Sequence, residues 1–216
     1  MGQITVQTIV DKVRADLVDA DAVTWTDADL IEDMNEGIRA LCTVKTDAYV
    51  LSEFVPLVAG IRQTLPEGSV ALFGIDENEV SGRRVTPVDR ELLDETAAFW
   101  PAGQQSTDVI HYCADPRNKV QFVVYPPNDG DGSVRVTRGA LPDPVLISGI
   151  SGAWPINDQY EPAIVQYMFG AAYRRNTQRQ DLAKTSDSMQ KFFTMVGLSA
   201  QAQAAVAPKV TRSEGL

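Results

Sequence analysis

With 216 residues, 44% of them hydrophobic and 22% charged, the chain is long enough for one generous domain, or one domain carrying an insertion, without metal or disulfide staples; disordered and fibrous classes are excluded. No apolar run approaches the roughly 20 residues of a membrane-spanning helix, and the opening MGQITVQTIVDKVRADL mixes charge into its apolar residues, so neither a bilayer span nor a secretory signal is expected and synthesis in the cytoplasm is. The formal net charge of −10 argues against holding duplex DNA by neutralising its phosphates, while suiting a wall past which DNA slides.

Val6, Ile9, Val10, Val13 and Leu17 recur at helical spacing and predict a first helix over residues 4–18, which VDADAV breaks. A second helix starts at Thr26, a good N-cap. Trp25 before it can fold over Leu30, and Asp27 and Asp29 occupy the first turn, where the helix dipole favours anions. Leu30, Ile31, Met34, Ile38 and Leu41 supply its core stripe. Asn35 lies beside that stripe, where its amide must be hydrogen-bonded; the expected partner is a neighbouring loop. Cys42 and Cys113, without CxxC spacing, read as buried reduced thiols.

From Val50 the periodicity switches to alternation. Residues 50–57 read as a strand, with AGIRQTL as its hairpin return; SVALFGIDENEVSGRRVTPVDR reads as two short strands about a polar turn. A short helix follows, with Asp89 as cap and Leu92, Leu93, Ala97 and Trp100 as its packing side. DVIHYCAD, KVQFVVYPP and SVRVTRGALP are three further strands, the last two joined across NDGDG as a hairpin. Helix returns after LPDPVLISGISGAWP, with Asp158 and Glu161 resembling a capping box, Pro162 in the opening turn, and Tyr160, Ala163, Ile164, Tyr167, Met168 and Ala171 as the stripe. A last helix over 181–198 is expected to bury Leu182, Met189, Phe192, Phe193 and Val196. The predicted class is α+β: a helical bundle of residues 1–48 and 151–198 around a β-rich insertion, 49–150, with a flexible tail at 199–216.

Charge is unevenly distributed. Asp27, Asp29, Glu32 and Asp33 belong to a strongly acidic N-terminal stretch, whereas Arg174, Arg175 and Arg179 make the later helical region basic. These ends are complementary, as expected if they lie side by side within a subunit or between subunits; two independently solvated faces are the equal alternative.

Catalytic signatures are sparse. The one histidine, His111, lies two residues before Cys113 on a predicted strand, so a dyad is geometrically open, but the Gly-x-Ser-x-Gly elbow, GxGxxG and GxxxxGK[ST] are absent. NDGDG lacks the ligand ladder of a calcium loop. No metal, cofactor or enzymatic activity is expected; a small hydrolase using Cys113, His111 or paired carboxylates is the remaining alternative of that kind.

In order, WTDADLIEDMNEGIRAL, TDAY, LPEGSVAL, RRVTPVDRELLD, HYCADPRNKVQFVVYPP and PINDQYEPAIVQYMFGAAYRR resemble the small head-to-tail adaptor proteins of tailed bacteriophages. The matching positions are Trp25, Asn35, Asp47, Ala48, Phe122, Tyr125, Pro126, Pro127 and Tyr160; departures are Thr46, where the family pattern has Pro, and the longer PDPVLISGISGAW connection. The resemblance implies a structural virion protein of the neck: a homo-oligomeric ring, usually of twelve, joining the portal protein to a downstream tail or neck protein, with the genome passing through unbound. It also implies a C-terminal segment that orders against the portal, here with Val206, Pro208, Lys209 and Val210 as anchors, and makes the acidic helix either a wall of the DNA channel or one half of a subunit interface drawn from Asp27, Asp29, Glu32, Asp33, Arg174, Arg175 and Arg179. A stopper, a tail-tube component and a fibre-attachment protein are the alternatives within the same class.

Overall fold

Helical periodicity at both ends and alternation between them produce a mixed α+β chain. The computed structural model describes residues 4–96, 100–175 and 178–206, and among these it has five α-helices and two β-sheets. In chain order the elements are α1 (Val6–Leu17), α2 (Asp27–Val44), β1 (Val50–Pro56), β2 (Gly60–Thr64), β3 (Ser69–Asn78), β4 (Thr86–Pro87), α3 (Arg90–Thr96), β5 (His111–Ala114), β6 (Gln121–Asn128), β7 (Ser133–Ala140), α4 (Glu161–Arg174) and α5 (Leu182–Val206). They fall into two compact units: one built from the chain up to Lys45 and again from Asp143, the other from Thr46–Pro142.

In the helical unit, Val6, Ile9, Val10, Val13 and Leu17 are all buried along one side of α1. Val18, in the left-handed region at φ 53°, ends the helix. Thr26 then caps α2 reciprocally with Asp29: the Thr26 hydroxyl accepts from the Asp29 N–H while the Asp29 carboxylate accepts from the Thr26 N–H. Trp25 is fully buried, donates its indole N–H to the Ala172 carbonyl at 2.9 Å and stands edge-on to Tyr173. Asn35 meets a loop: its Nδ2 donates to the Val145 carbonyl and its Oδ1 accepts from the Val145 N–H, both at 2.9 Å. The carbonyls of Ile150 and Gly152 in the same connection accept from Gln7 and Val6, satisfying two N–H groups that the start of α1 would otherwise leave open.

The start of α4 differs from the expected capping box. Asn157, not Asp158, is the cap; it accepts from the Gln159 N–H and opens a 3-10 turn over Asp158–Tyr160 that runs into α4. Ala163, Ile164, Val165, Met168, Ala171, Ala172 and Tyr173 are buried, more of the circumference than one stripe, because α1, α2 and α5 all pack on α4. Helix α5 continues to Val206, eight residues past its expected end at Leu198. Phe192 and Val196 are buried, but Leu182 is 66% and Phe193 55% exposed. Those two lie about three turns apart on one line, beside the face that α4 covers, so the apolar pattern of this helix is wider than its contact.

The other unit holds two sheets, of order β1-β7-β3 and β2-β6-β5-β4. All pairings are antiparallel except that of β4 with β5. Val55, Ile75, Val134 and Val136 from the first sheet and Tyr112, Phe122 and Val124 from the second form one buried cluster. The alternate residues Cys113, Val123 and Tyr125 face the other way, against Leu93 and Trp100. Leu92, expected on this packing side, is 52% exposed, and Ala97 lies outside the described residues.

Both expected hairpins are corrected by this topology: β1 and β2, and likewise β6 and β7, lie in different sheets. Side-chain amides make these turns into crossings. After β1, the Leu57 N–H stays with Gly132, while the Gln63 amide binds both the N–H and C=O of Val58 and turns the chain through Gly60, at φ 104°. At NDGDG, the fully buried Asn128 donates to the Ser106 and Thr107 carbonyls and accepts from the Gly130 and Gly132 N–H groups, closing the loop on itself instead of on a ladder.

Candidate functional site

The acidic half of α2 and the basic end of α4 meet within one chain. Arg175, the first residue after α4, donates Nη1 to Asp29 Oδ1 at 3.1 Å and Nη2 to Asp33 Oδ1 at 2.7 Å; its Nε reaches Asp33 Oδ2 at 3.4 Å. Nη2 also lies 3.0 Å from the Asp29 carbonyl and 3.1 Å from Glu32 Oε2, more acceptors than its two protons serve singly, so these bonds are shared. Arg174 pairs with Glu36 at 2.9 Å. The spacing of Asp29, Glu32, Asp33 and Glu36 puts all four on one side of α2, which is why a single corner of the chain can engage them.

Two of the named residues turn elsewhere. Arg179 donates to the Leu17 carbonyl at 2.7 Å, satisfying the C-terminal end of α1, and its guanidinium lies 4.8 Å from the centre of the Trp25 ring. Asp27 pairs with Arg14 of α1. Arg14 was not singled out in the sequence, although it stands four residues after Val10 and three before Leu17 on the buried face of α1. Its guanidinium also donates to the Asp19 and Trp25 carbonyls and so ties the α1–α2 corner.

Electrostatics separates the inner from the outer members of the seam. Burial raises the Asp33 carboxyl to about 6, against the pull of its Arg175 hydrogen bond and charge, so Asp33 is still ionised at neutral pH. Arg175 is held above its ordinary range, despite burial, by Asp33, Glu32 and Asp29. Asp29 is held below the usual carboxylate range chiefly by the Thr26 hydroxyl. The Asp33 side chain is only 3% exposed, whereas Glu32 is 65%, Arg174 52% and Asp27 43% exposed.

His111, Cys42 and Cys113 are packed for ends other than chemistry. His111 shares a 2.6 Å hydrogen bond with Thr86 and stacks on Tyr125. Burial pushes the Cys113 thiol up, away from the thiolate form, and pushes Cys42 up to about 11; both cysteines are free. Among the described residues no hydrogen bond joins His111 to Cys113, no group of three or more metal-ligating side chains converges, and no helix is long and apolar enough to cross a membrane. Val206 is the last residue of α5, while Pro208, Lys209 and Val210 lie outside the described residues.

Comparison with curated proteins gives no match. Comparison with protein families matches residues 4–212 to the family described as SU10 adaptor protein. An adaptor is a structural, non-enzymatic kind of protein that associates with other phage head and tail proteins, and it implies a virion component. Matched over nearly its whole length, the chain belongs to the SU10 adaptor protein family, a family of bacteriophage head-to-tail adaptors.

Proposed function

We propose that this chain is the adaptor of the virion neck, a ring of twelve copies that joins the portal to the first tail or neck protein and lets the genome pass without specific binding. The observation that carries this reading is the family match across residues 4–212. The formal charge of −10 supports the channel, because a wall that attracted phosphates would retard the DNA it has to release.

In this reading α1, α2, α4 and α5 act as one bundle, the docking body, and the strand-rich middle of the chain is an insertion carried on it. Asp29, Asp33 and Arg175 hold that body together internally, and Arg179 stays on the end of α1, so the neighbour in the ring meets the more exposed charges Asp27, Glu32 and Arg174. The segment with Val206, Pro208, Lys209 and Val210 binds the portal; a contact that is weak in one copy becomes firm when a whole ring engages at once.

Cross-linking in intact particles, read by mass spectrometry, tests the assignment. An adaptor should link to copies of itself, to the portal and to the first component below it. Links to tail components without portal would make it a stopper, tail-tube or fibre-attachment part and end this proposal.

A further inference from the structure

The turn between β3 and β4 is a fixed tip that carries one exposed carboxylate, Glu79, against two exposed guanidinium groups, Arg83 and Arg84, and so is net positive. Asn78 fixes its base: the side chain donates to the Arg83 and Val109 carbonyls and accepts from the Val109 N–H, while the Gly82 N–H closes on the Asn78 carbonyl at 3.0 Å. Beyond that base Val80 is 89% exposed, and Arg83 and Arg84 are exposed with no side-chain partner among the described residues. An apolar knob on a turn whose two arginines outweigh its one carboxylate, Glu79, is an unusual surface on a chain of net charge −10.

The C-terminal end of α1 carries a surface of opposite character. A depression of about 510 Å³ opens there, with exposed Ala15, Val18 and Ala20 among its lining and exposed Asp11 and Asp21 beside them. Val18 is 81% exposed. Two cations stand at this place, Arg14, occupied by Asp19, Trp25 and Asp27, and Arg179, occupied by the Leu17 and Val18 carbonyls; among the described residues no ion pair joins either of them to Asp11 or Asp21.

We propose that the Val80 tip of one copy seats in the α1-end depression of the next copy, with Arg83 and Arg84 against Asp11 and Asp21. The inference rests on the ring reading and names the contact within it. Charge complementarity selects the occupant: each surface repels its own kind and attracts the other. Because tip and depression are different patches, the contact is head-to-tail, the type that propagates from copy to copy and from which rings are built.

The test uses particles assembled from full-length chains in infected cells. Ala20→Cys and Val80→Cys each place one surface thiol on a chain whose two native cysteines are buried. Particles built from a mixture of the two single variants should yield a disulfide-linked dimer on oxidation; particles built from either variant alone should not. If amine cross-linking joins neighbouring copies but the mixture gives no disulfide, this interface is wrong and the ring stands. If amine cross-linking joins no copies at all, the ring falls and the interface with it. As an independent arm, R83E/R84E should lower incorporation about tenfold, and adding D11K/D21K to the same chain should restore it. Unchanged incorporation, or no restoration in a chain whose circular dichroism is native, overturns the proposal.

Discussion

Asn35 is the most informative single position to perturb, because its amide reads both polar groups of one loop residue. In Asn35→Ala two hydrogen bonds of 2.9 Å to Val145 disappear. At about 1 kcal/mol for each neutral bond, and with Val145 half-exposed so that water takes over part of the loss, the expected cost is about 1–2 kcal/mol. For a chain of this length that is a fall of about 2–8 °C in Tm. Asn35→Asp separates the amide from mere polarity. Its carboxylate still accepts from the Val145 N–H but faces the Val145 carbonyl with a second acceptor, so at pH 7 it should destabilise more than alanine does. Below about pH 4, where a carboxyl takes up a proton and can donate again, that excess should vanish. Urea titrations with hydrogen exchange across residues 143–152 measure both effects. An Asn35→Asp chain as stable as Asn35→Ala at pH 7, or exchange in the loop no faster than in the native chain, would refute the clamp.

Asp33 makes stability depend on pH in an unusual direction. Its folded carboxyl is raised to about 6 from 3.8, so the folded chain binds more protons than the unfolded one between those values, and stability falls as pH rises through that window. The loss is up to about 3 kcal/mol at about 1.4 kcal/mol per unit; Asp33→Asn should flatten the slope between pH 4 and 6 in urea titrations, and an unchanged slope contradicts the assignment. Asn128→Ala removes four hydrogen bonds from a fully buried side chain and should cost about 3 kcal/mol or more, read as early loss of strand circular dichroism on heating. Gly37→Ala sets two effects against each other. Alanine gains about 1 kcal/mol in helix propensity, but its Cβ would stand 3.0 Å from the Tyr167 ring. Overpacking at about 1–3 kcal/mol wins, so Tm should drop; a rise would mean that Tyr167 yields at little cost.

The parts of this chain that were legible beforehand are those decided by near neighbours. The stripe of α1, the Thr26 cap and the need of Asn35 for a loop partner all follow from residues within a few turns or from the cost of a bare amide. Strand pairing is decided elsewhere. Turns such as that at residues 58–60 and NDGDG mark where the chain reverses, but whether it returns to the same sheet depends on Gln63 and Asn128, whose partners only the folded unit supplies. The exposure of Leu182 and Phe193 was hidden for a related reason: periodicity reveals an apolar face without saying how much of it a neighbouring helix covers. In the seam, the sequence shows opposite charge at the two ends of the chain, whereas the division of labour between buried Asp33 and exposed Glu32 appears only with burial known. Arg14 had a readable signal, a cation inside an apolar stripe, that the charge balance obscured.

The interrupted helical unit has a consequence for biosynthesis. Helices α1 and α2 leave the ribosome before the unit Thr46–Pro142 is made, and α4, on which both of them pack, follows that unit. At about 5–20 residues per second the nascent chain spends on the order of 5–20 s with the apolar sides of both helices uncovered, while the contiguous strand unit can close during translation. Slowing elongation within that interval should therefore raise chaperone capture and aggregation far more than the same pause placed after α5.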